Sequence, residues 1–344
     1  MKKPLLKPPQ GDGEILFLSG TGAFEQTLHH TSAVATCHQL AFFHPGIAIR
    51  FHLIDAMGQG KSRILFMDTD RTVLQVRLPN REGRTAIFNL ISSDRPLCQL
   101  PLLGISEIER FFREVEKEVG MKLGSDCPAA LREYRRFMDL FIDQGPRTHL
   151  RERLAQAFIR FSGIDAPHTF LSELLKGRDF RDFFMRIVRD ARRFRKVYNE
   201  SLERYGEQFR FRYRNFPFPR LNTGELPFWV VRNGKRQLLN MDRFDAVDLN
   251  RHTILPKASP LTLFLRLSCS DVFVHGVGGA NYEWVNDRIL EEFFGVNPSP
   301  YFILSATFHL CGIPERDFPY FFKDPGELRE KLCTHLEKSD LILP

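Results

Sequence analysis

The chain has 344 residues, enough for one large domain or two ordinary ones, and an apolar content of 43% is sufficient for a packed core. No apolar run approaches the roughly 20 residues needed to cross a bilayer, and the basic start 1–9 lacks the apolar stretch of a secretory signal, so a cytoplasmic protein with no membrane partner is expected. The net charge of +7 is modest, and the six cysteines include no Cys-x-x-Cys pair, which argues against a structural zinc site and for reduced thiols.

A disordered lead is expected over 1–13. Residues 14–105 then read as the first part of an α/β core. Strands are expected at 14–19, 33–37, 63–68, 72–78 and 85–91, with a helix between Gly46 and Met57. Strand, helix, strand over 33–68 argues for a parallel crossover. The periodicity changes after Ile105. Ile108, Phe111, Phe112, Val115 and Val119 recur at helical spacing, as do apolar residues over 131–142 and 150–161. One long amphipathic helix is predicted over 179–205, with arginines opposite its apolar face. The block 106–215 therefore reads as a helical insertion, ended by the prolines of Asn215-Phe216-Pro217-Phe218-Pro219. Strands return over 216–344, at 228–232 and 237–239 around an Asn233-Gly234 turn, then at 271–275 and 301–307. Helices are expected at 279–294 and 328–336. The fold class that follows is α/β, a Rossmann-like parallel-sheet core interrupted by a helical insertion.

Three strand ends carry candidate chemistry. The segment 271–275 ends in His275-Gly276-Val277-Gly278-Gly279 and leads into a helical pattern. A strand, glycine turn and helix point free backbone N–H groups at an anion. The glycines equally serve as a tight corner, and the spacing matches neither the P-loop nor the dinucleotide fingerprint. The second segment, Thr36-Cys37-His38-Gln39 to His44-Pro45-Gly46, has the same layout, and its two histidines can bind an anion or transfer protons. The third ends in Asp68-Thr69-Asp70, whose carboxylates suit a ribose, an amine or Mg²⁺, or simply a charged turn. Ten basic residues lie between Arg186 and Arg214 against four acids. Such a face attracts polyanions, although most such faces are only solvated.

Taken together in this order, and with Tyr198-Asn199, Leu226-Pro227-Phe228-Trp229 and Pro256-Lys257-Ala258, these blocks resemble an uncharacterised bacterial family that is itself similar to the cysteine-adding enzyme of bacillithiol biosynthesis. The resemblance covers most of 30–310 as short blocks. It implies a Rossmann-like core and a ligase that joins an amino acid such as cysteine to an amine-bearing small molecule through an acyl phosphate or adenylate. ATP or another nucleotide would be the cofactor, with Mg²⁺ allowed. Mapped onto this chain, His38, His44, Asp68, Asp70 and His275 would be catalytic, and Thr36, Gln39, Gly46, Gly276, Gly278 and Gly279 would bind the cofactor. No resident metal is expected. Cys37 and Asn281 depart from the pattern, which puts the substrate and retained catalysis in question. The alternatives are a metal-dependent hydrolase on the same loops, or a non-catalytic protein that binds an anion or nucleic acid through the Arg-rich helix. Nucleic acid is the lesser of these partners, and a homodimer is allowed.

Overall fold

The computed structural model describes residues 15–19, 33–42, 45–57, 62–79, 85–123, 128–209, 219–244, 252–280 and 282–306. The lead over 1–13, His44, Asn281, Arg210, Arg212, Arg214 and the helix expected over 328–336 lie outside the described residues.

One six-stranded sheet organises the chain. Its strands are β1 (Ile15–Ser19), β2 (Val34–Gln39), β3 (Arg63–Met67), β6 (His168–Phe170), β10 (Val272–His275) and β11 (Tyr301–Ala306), in the spatial order β1-β11-β10-β2-β3-β6. β1 is antiparallel to β11, and the other five strands are all parallel. Taken by their order in the chain, the parallel strands run third, second, first, fourth, fifth across the sheet. That is the doubly wound, Rossmann-like order, in which the direction of winding reverses beside the first strand. The expected pairing of the two ends of the chain is thus realised, with β2 hydrogen-bonded to β10. The block between them is mainly helical, yet it returns once to the sheet as β6.

Both faces of the sheet are covered. On one face lie α1 (Pro45–Ala56), α2 (Ile105–Leu123), α3 (Pro128–Ile142) and α4 (Leu150–Ser162). α1 is apolar around most of its circumference, and Ile49, Phe51, Leu53 and Ile54 are all buried, as suits a helix pressed between sheet and neighbours. Phe51 stands edge-on to Phe66 and Phe158, at ring separations of 5.8 and 5.2 Å. On the other face lie α6 (Arg178–Arg189), α7 (Ala191–Phe209), α8 (Ala258–Ser268) and α10 (Glu283–Ile289), around Phe180, Phe184, Phe264 and Phe294. A short helix, α5 (Leu171–Leu174), follows β6, and α9 (Val277–Ala280) follows β10. The helix expected over 179–205 breaks at Asp190, whose φ of −126° and ψ of 45° leave the helical region. The break lets Phe183 stack on Phe294 while Phe194 meets Phe293. The helix expected over 279–294 is also interrupted. It comprises α9, α10 and a π turn over Leu290–Phe294 that buries Leu290, Phe293 and Phe294 together.

Two smaller sheets stand at the carboxyl side. β4 (Arg71–Pro79) pairs with β5 (Thr85–Pro96), and β7 (Glu225–Arg232) lies between β8 (Lys235–Asn240) and β9 (Thr253–Pro256). The β7–β8 hairpin turns at Asn233 and Gly234, with φ of 51° and 74°, the two left-handed residues that a tight hairpin of this twist demands. Three polar latches hold these parts in place. Asp55 on α1 accepts the backbone N–H of Asp165 and Ala166, both at 2.8 Å, and so positions the entry to β6. Arg153, 1% exposed, donates to the carbonyls of Phe141, Ile142, Gly145 and Thr148, closing the turn between α3 and α4. Asn199 clamps Leu221 through its amide, giving and receiving bonds of 2.9 Å.

His52 on α1 is buried, and burial lowers its pKa to about 4 against the opposing pull of Asp55. The fold therefore holds a neutral ring that the unfolded chain protonates near pH 6.5. Stability is expected to fall as the pH drops from about 6.5 to about 4, by on the order of 2–3 kcal/mol for this residue, and to level off once the folded ring also takes its proton. Denaturant midpoints at pH 7, 6, 5 and 4 measure this. His52→Gln should give a flatter profile, and an unchanged slope would assign the acid sensitivity to other groups.

Candidate functional site

In an open α/β sheet, ligands occupy the crevice outside the carboxyl ends of the strands where the winding reverses. Here that point lies between β2 and β10. β2 ends at His38-Gln39 and leads to α1, and β10 ends at His275 and leads to α9. Two of the expected segments therefore do meet. They do not present all their side chains to one space. Val274 is paired with Thr36 across the two strands, and side chains alternate along each. Thr36 and His38 point to the face covered by α1, whereas Cys37 and His275 point to the other.

The residue that joins these ends was absent from the sequence expectations. Arg50, on the second turn of α1, is 5% exposed, and its guanidinium lies beneath Gly276, where a Cβ would meet Cζ at 3.6 Å. Its Nε makes no hydrogen bond, and among the described residues no carboxylate pairs with it. Burial lowers its pKa to about 10, with Cys37 and Tyr282 acting in the opposite sense. The cationic field of Arg50 also reaches His38, whose pKa falls to about 4 through burial first and this arginine second. His38 is thus neutral at pH 7. Its Nδ1 lies 2.8 Å from the Gln39 carbonyl, which can only accept, so Nδ1 carries the proton and Nε2 the lone pair. Burial raises the Cys37 thiol to about 12, so it stays protonated beside Arg50 and is not a thiolate nucleophile.

His275 is 5% exposed and belongs to a buried network. Its Nε2 lies 2.9 Å from Glu283 Oε1 but out of line for a hydrogen bond. Glu283 also meets Arg266 Nη1 and accepts from Asn286 Nδ2 at 3.1 Å, and Asn286 accepts from Ser259 Oγ at 2.7 Å. Burial works to raise the Glu283 pKa, and His275 and Arg266 together hold it below the usual carboxylate range. The lowered pKa favours the carboxylate form of Glu283, which stands against His275 inside the fold.

The glycines of this loop need a different account from the one their spacing suggested. None of Gly276, Gly278 and Gly279 has a positive φ. Gly278 faces open space, and a Cβ there would touch nothing within 4 Å. Gly279 is required for a close approach, since a Cβ would sit 2.7 Å from His275 Nδ1 and 3.4 Å from Tyr282 Oη. The glycine at 279 therefore makes room for the imidazole.

The remaining expected residues are spoken for elsewhere. Thr36 is fully buried and donates to the Val274 carbonyl at 2.8 Å, stitching β2 to β10. Gln39 Nε2 donates to the Arg71 carbonyl at 3.1 Å. Gly46 is the second residue of α1. Asp68, 0% exposed, is committed to Arg151 at 2.8 Å and to the backbone and hydroxyl of Ser172 at 2.9 and 2.6 Å. Asp70 pairs with Arg236 of β8 and with its neighbour's N–H. Both carboxylates thus brace the fold beyond β3. Lys257, from the Pro256-Lys257-Ala258 block, forms a buried pair with Glu225 and lies 4.9 Å from the Trp229 ring. Part of the arginine face is structural as well. Arg186 and Arg193 donate to the carbonyls of Phe294 and Glu292 at the end of the π turn, where a cation is favoured.

Among the described residues no three of His, Cys, Asp and Glu gather as a metal-ligand set, and no helix is long and apolar enough to cross a membrane. Compared with protein-family models and with curated proteins, the sequence matches none.

Gly279→Ala should destabilise the fold by about 1–3 kcal/mol, the usual range for overpacking, while Gly278→Ala should change it little. Urea titration of both variants compares them. Equal losses would remove the steric account of Gly279.

Proposed function

We propose that this chain is an enzyme core that holds a phosphate-bearing small molecule, a nucleotide first among them, at the crevice between β2 and β10. The observation that carries the reading is Arg50. Arg50 is 5% exposed, its Nε is unbonded and no carboxylate among the described residues pairs with it, so an incoming anion would offset a desolvation cost of several kcal/mol. Its place beneath Gly276, where the winding of the sheet reverses, is where such folds bind ligands.

In this reading Arg50 binds a phosphoryl oxygen or carboxylate and neutralises charge that develops there. His38, neutral and with Nδ1 protonated against the Gln39 carbonyl, is the base we assign to the proton of an incoming amine. His275 is held by Glu283 and packed under Gly279, and it supports the loop from the opposite face. A bound nucleotide would supply an activated phosphoryl or adenylyl group, and ATP with Mg²⁺ is the form to try first. The reaction class we attach to the core is amide-bond formation between an amino acid, cysteine among the candidates, and an amine-bearing small molecule. What supports that finer step is the resemblance of the sequence blocks around His38, Asp68 and His275. Since Asp68 and Asp70 are occupied by Arg151 and Arg236, the proposed chemistry rests on Arg50 and His38.

Isothermal titration of the protein and of Arg50→Met with ATP, ADP and inorganic phosphate, each with and without Mg²⁺, tests the reading. The wild type should bind at least one of these anions, and Arg50→Met should weaken it by about 10- to 100-fold, the loss of a charge-assisted bond worth about 1.5–3 kcal/mol. The same variant should melt at a higher temperature, because it removes an unpaired buried charge and keeps the apolar stem. A lower melting temperature together with unchanged binding would make Arg50 a structural residue and end the proposal.

A further inference from the structure

We infer that a cavity between α6 and β9 is a second binding site, made for an organic anion with an apolar or aromatic body. It has a volume of about 450 Å³, within the range of small-molecule sites. It opens at the carboxyl ends of β3 and β6, two strands along from the crevice at β2 and β10, and none of its lining residues belongs to that crevice. The inference does not depend on Arg50 binding a nucleotide.

Two features of the lining define the ligand. Phe180, Phe184, Leu175 and Ile254 supply an apolar wall. Three cations, Arg151, Lys176 and Arg181, face it against the single carboxylate of Glu173. That carboxylate is already shared, accepting from Arg151 at 3.2 Å and from Lys176 at 2.8 Å. Arg181 is exposed and forms no ion pair among the described residues. Arg151 is also paired with Asp68 at 2.8 Å, so Arg181 is the lining cation left without an ion pair among the described residues, and an incoming anion meets it beside an apolar surface.

The wall is built to keep its shape without a ligand. Asp68 is the hub, since Arg151 and the backbone and hydroxyl of Ser172 all converge on its carboxylate. Its own carbonyl accepts the N–H of Cys98, another lining residue, at 2.9 Å. Arg151 stacks on Phe170 at 4.7 Å and so ties the rim to the last residue of β6. The carboxylate that sequence reasoning placed among the catalytic groups thus organises a neighbouring cavity. Such preorganisation lowers the entropy that a ligand must surrender on binding.

The test uses the full chain and the fluorescent probe 8-anilinonaphthalene-1-sulfonate, an aromatic sulfonate of matching chemistry. Four variants are titrated beside the wild type. Arg181→Glu reverses a lining charge. Arg189→Glu makes the same change on the same helix outside the cavity. Thr253→Trp fills the space from an exposed position on β9. Arg50→Met probes the neighbouring crevice. Arg181→Glu and Thr253→Trp should raise the probe's Kd at least tenfold, and Arg189→Glu and Arg50→Met should change it less than twofold. 3-Phenylpropanoate or phenyl phosphate should displace the probe, and their ranking separates a carboxylate from a phosphate ligand. 3-Phenylpropanol, which keeps the ring and lacks the charge, should displace it at least tenfold less well. Equal effects of Arg181→Glu and Arg189→Glu would reduce the result to general surface charge and overturn the inference. Displacement by the alcohol as strong as by the acids, or by none of the three compounds, would overturn it too. Should Thr253→Trp fail to fold, the two charge reversals on α6 still decide the question.

Discussion

A parallel strand can be reached only by a crossover that passes over one face of the sheet, and that crossover turns to the right. The chain obeys this in two opposite directions from β2. It first steps outward through β3 to β6, and the helices of that passage, α1 to α4, fall on one face. It then returns to the other side of β2 to place β10 and β11, and the helices of the return, from α6 to α10, fall on the opposite face. Covered on both sides, the strands must be apolar in nearly every position, as Ile64, Leu65 and Phe66 of β3 are. The same reversal pulls the loops after β2 and β10 apart, one toward each helical layer. The crevice is therefore a consequence of chain direction, while the register of Val274 opposite Thr36 sets His38 and His275 on opposite faces.

How the fold treats buried cations sets Arg50 apart. Arg153 spends its guanidinium on four backbone carbonyls. Arg266, with no exposed side-chain surface, faces both Glu283 and Asp287 and lies over the Tyr301 ring. Lys257 has Glu225, and Arg151 has Asp68. Arg153 closes a turn between consecutive helices and the other three join separate elements, so each charge is matched by a structural task. Arg50 sits among Ile49, Phe51, Leu53 and Ile54 without such a partner among the described residues. A methionine there would serve the packing at least as well. This contrast is what the proposed anion site rests on.

Much of this fold could be read from short apolar runs that end in glycine, histidine or aspartate. β2, β3 and β10 are such runs, and the Asn233-Gly234 turn follows from the left-handed conformations it requires. What escaped was short or lacked punctuation. β6 has three residues and owes its place to Asp55, more than a hundred positions earlier. β9 has four, and no period can emerge from so few. The break at Asp190 has neither glycine nor proline to announce it. The strand ends are legible as candidate sites, but residue type does not reveal what each side chain is committed to. Asp68 looked like a free carboxylate because Arg151 and Ser172 are far away in the chain. Arg50 did leave a trace, a charge in the middle of an apolar helix.

The proposed anion affinity has a different origin from the one the glycine spacing suggests. A glycine turn ahead of a helix binds phosphate through aligned N–H groups, and the strength of that effect grows with a helix of several turns. α9 has only four residues before the chain turns again into α10, too few for a sizeable dipole. In the proposed site the charge comes from the first crossover helix instead, carried across β2 by the length of an arginine side chain. Gly276 brings bare backbone against the guanidinium, and the thiol of Cys37, protonated and uncharged, does not compete for it. On this account the glycine-rich loop supplies access and Arg50 supplies attraction, two roles that a single motif in the sequence had appeared to combine.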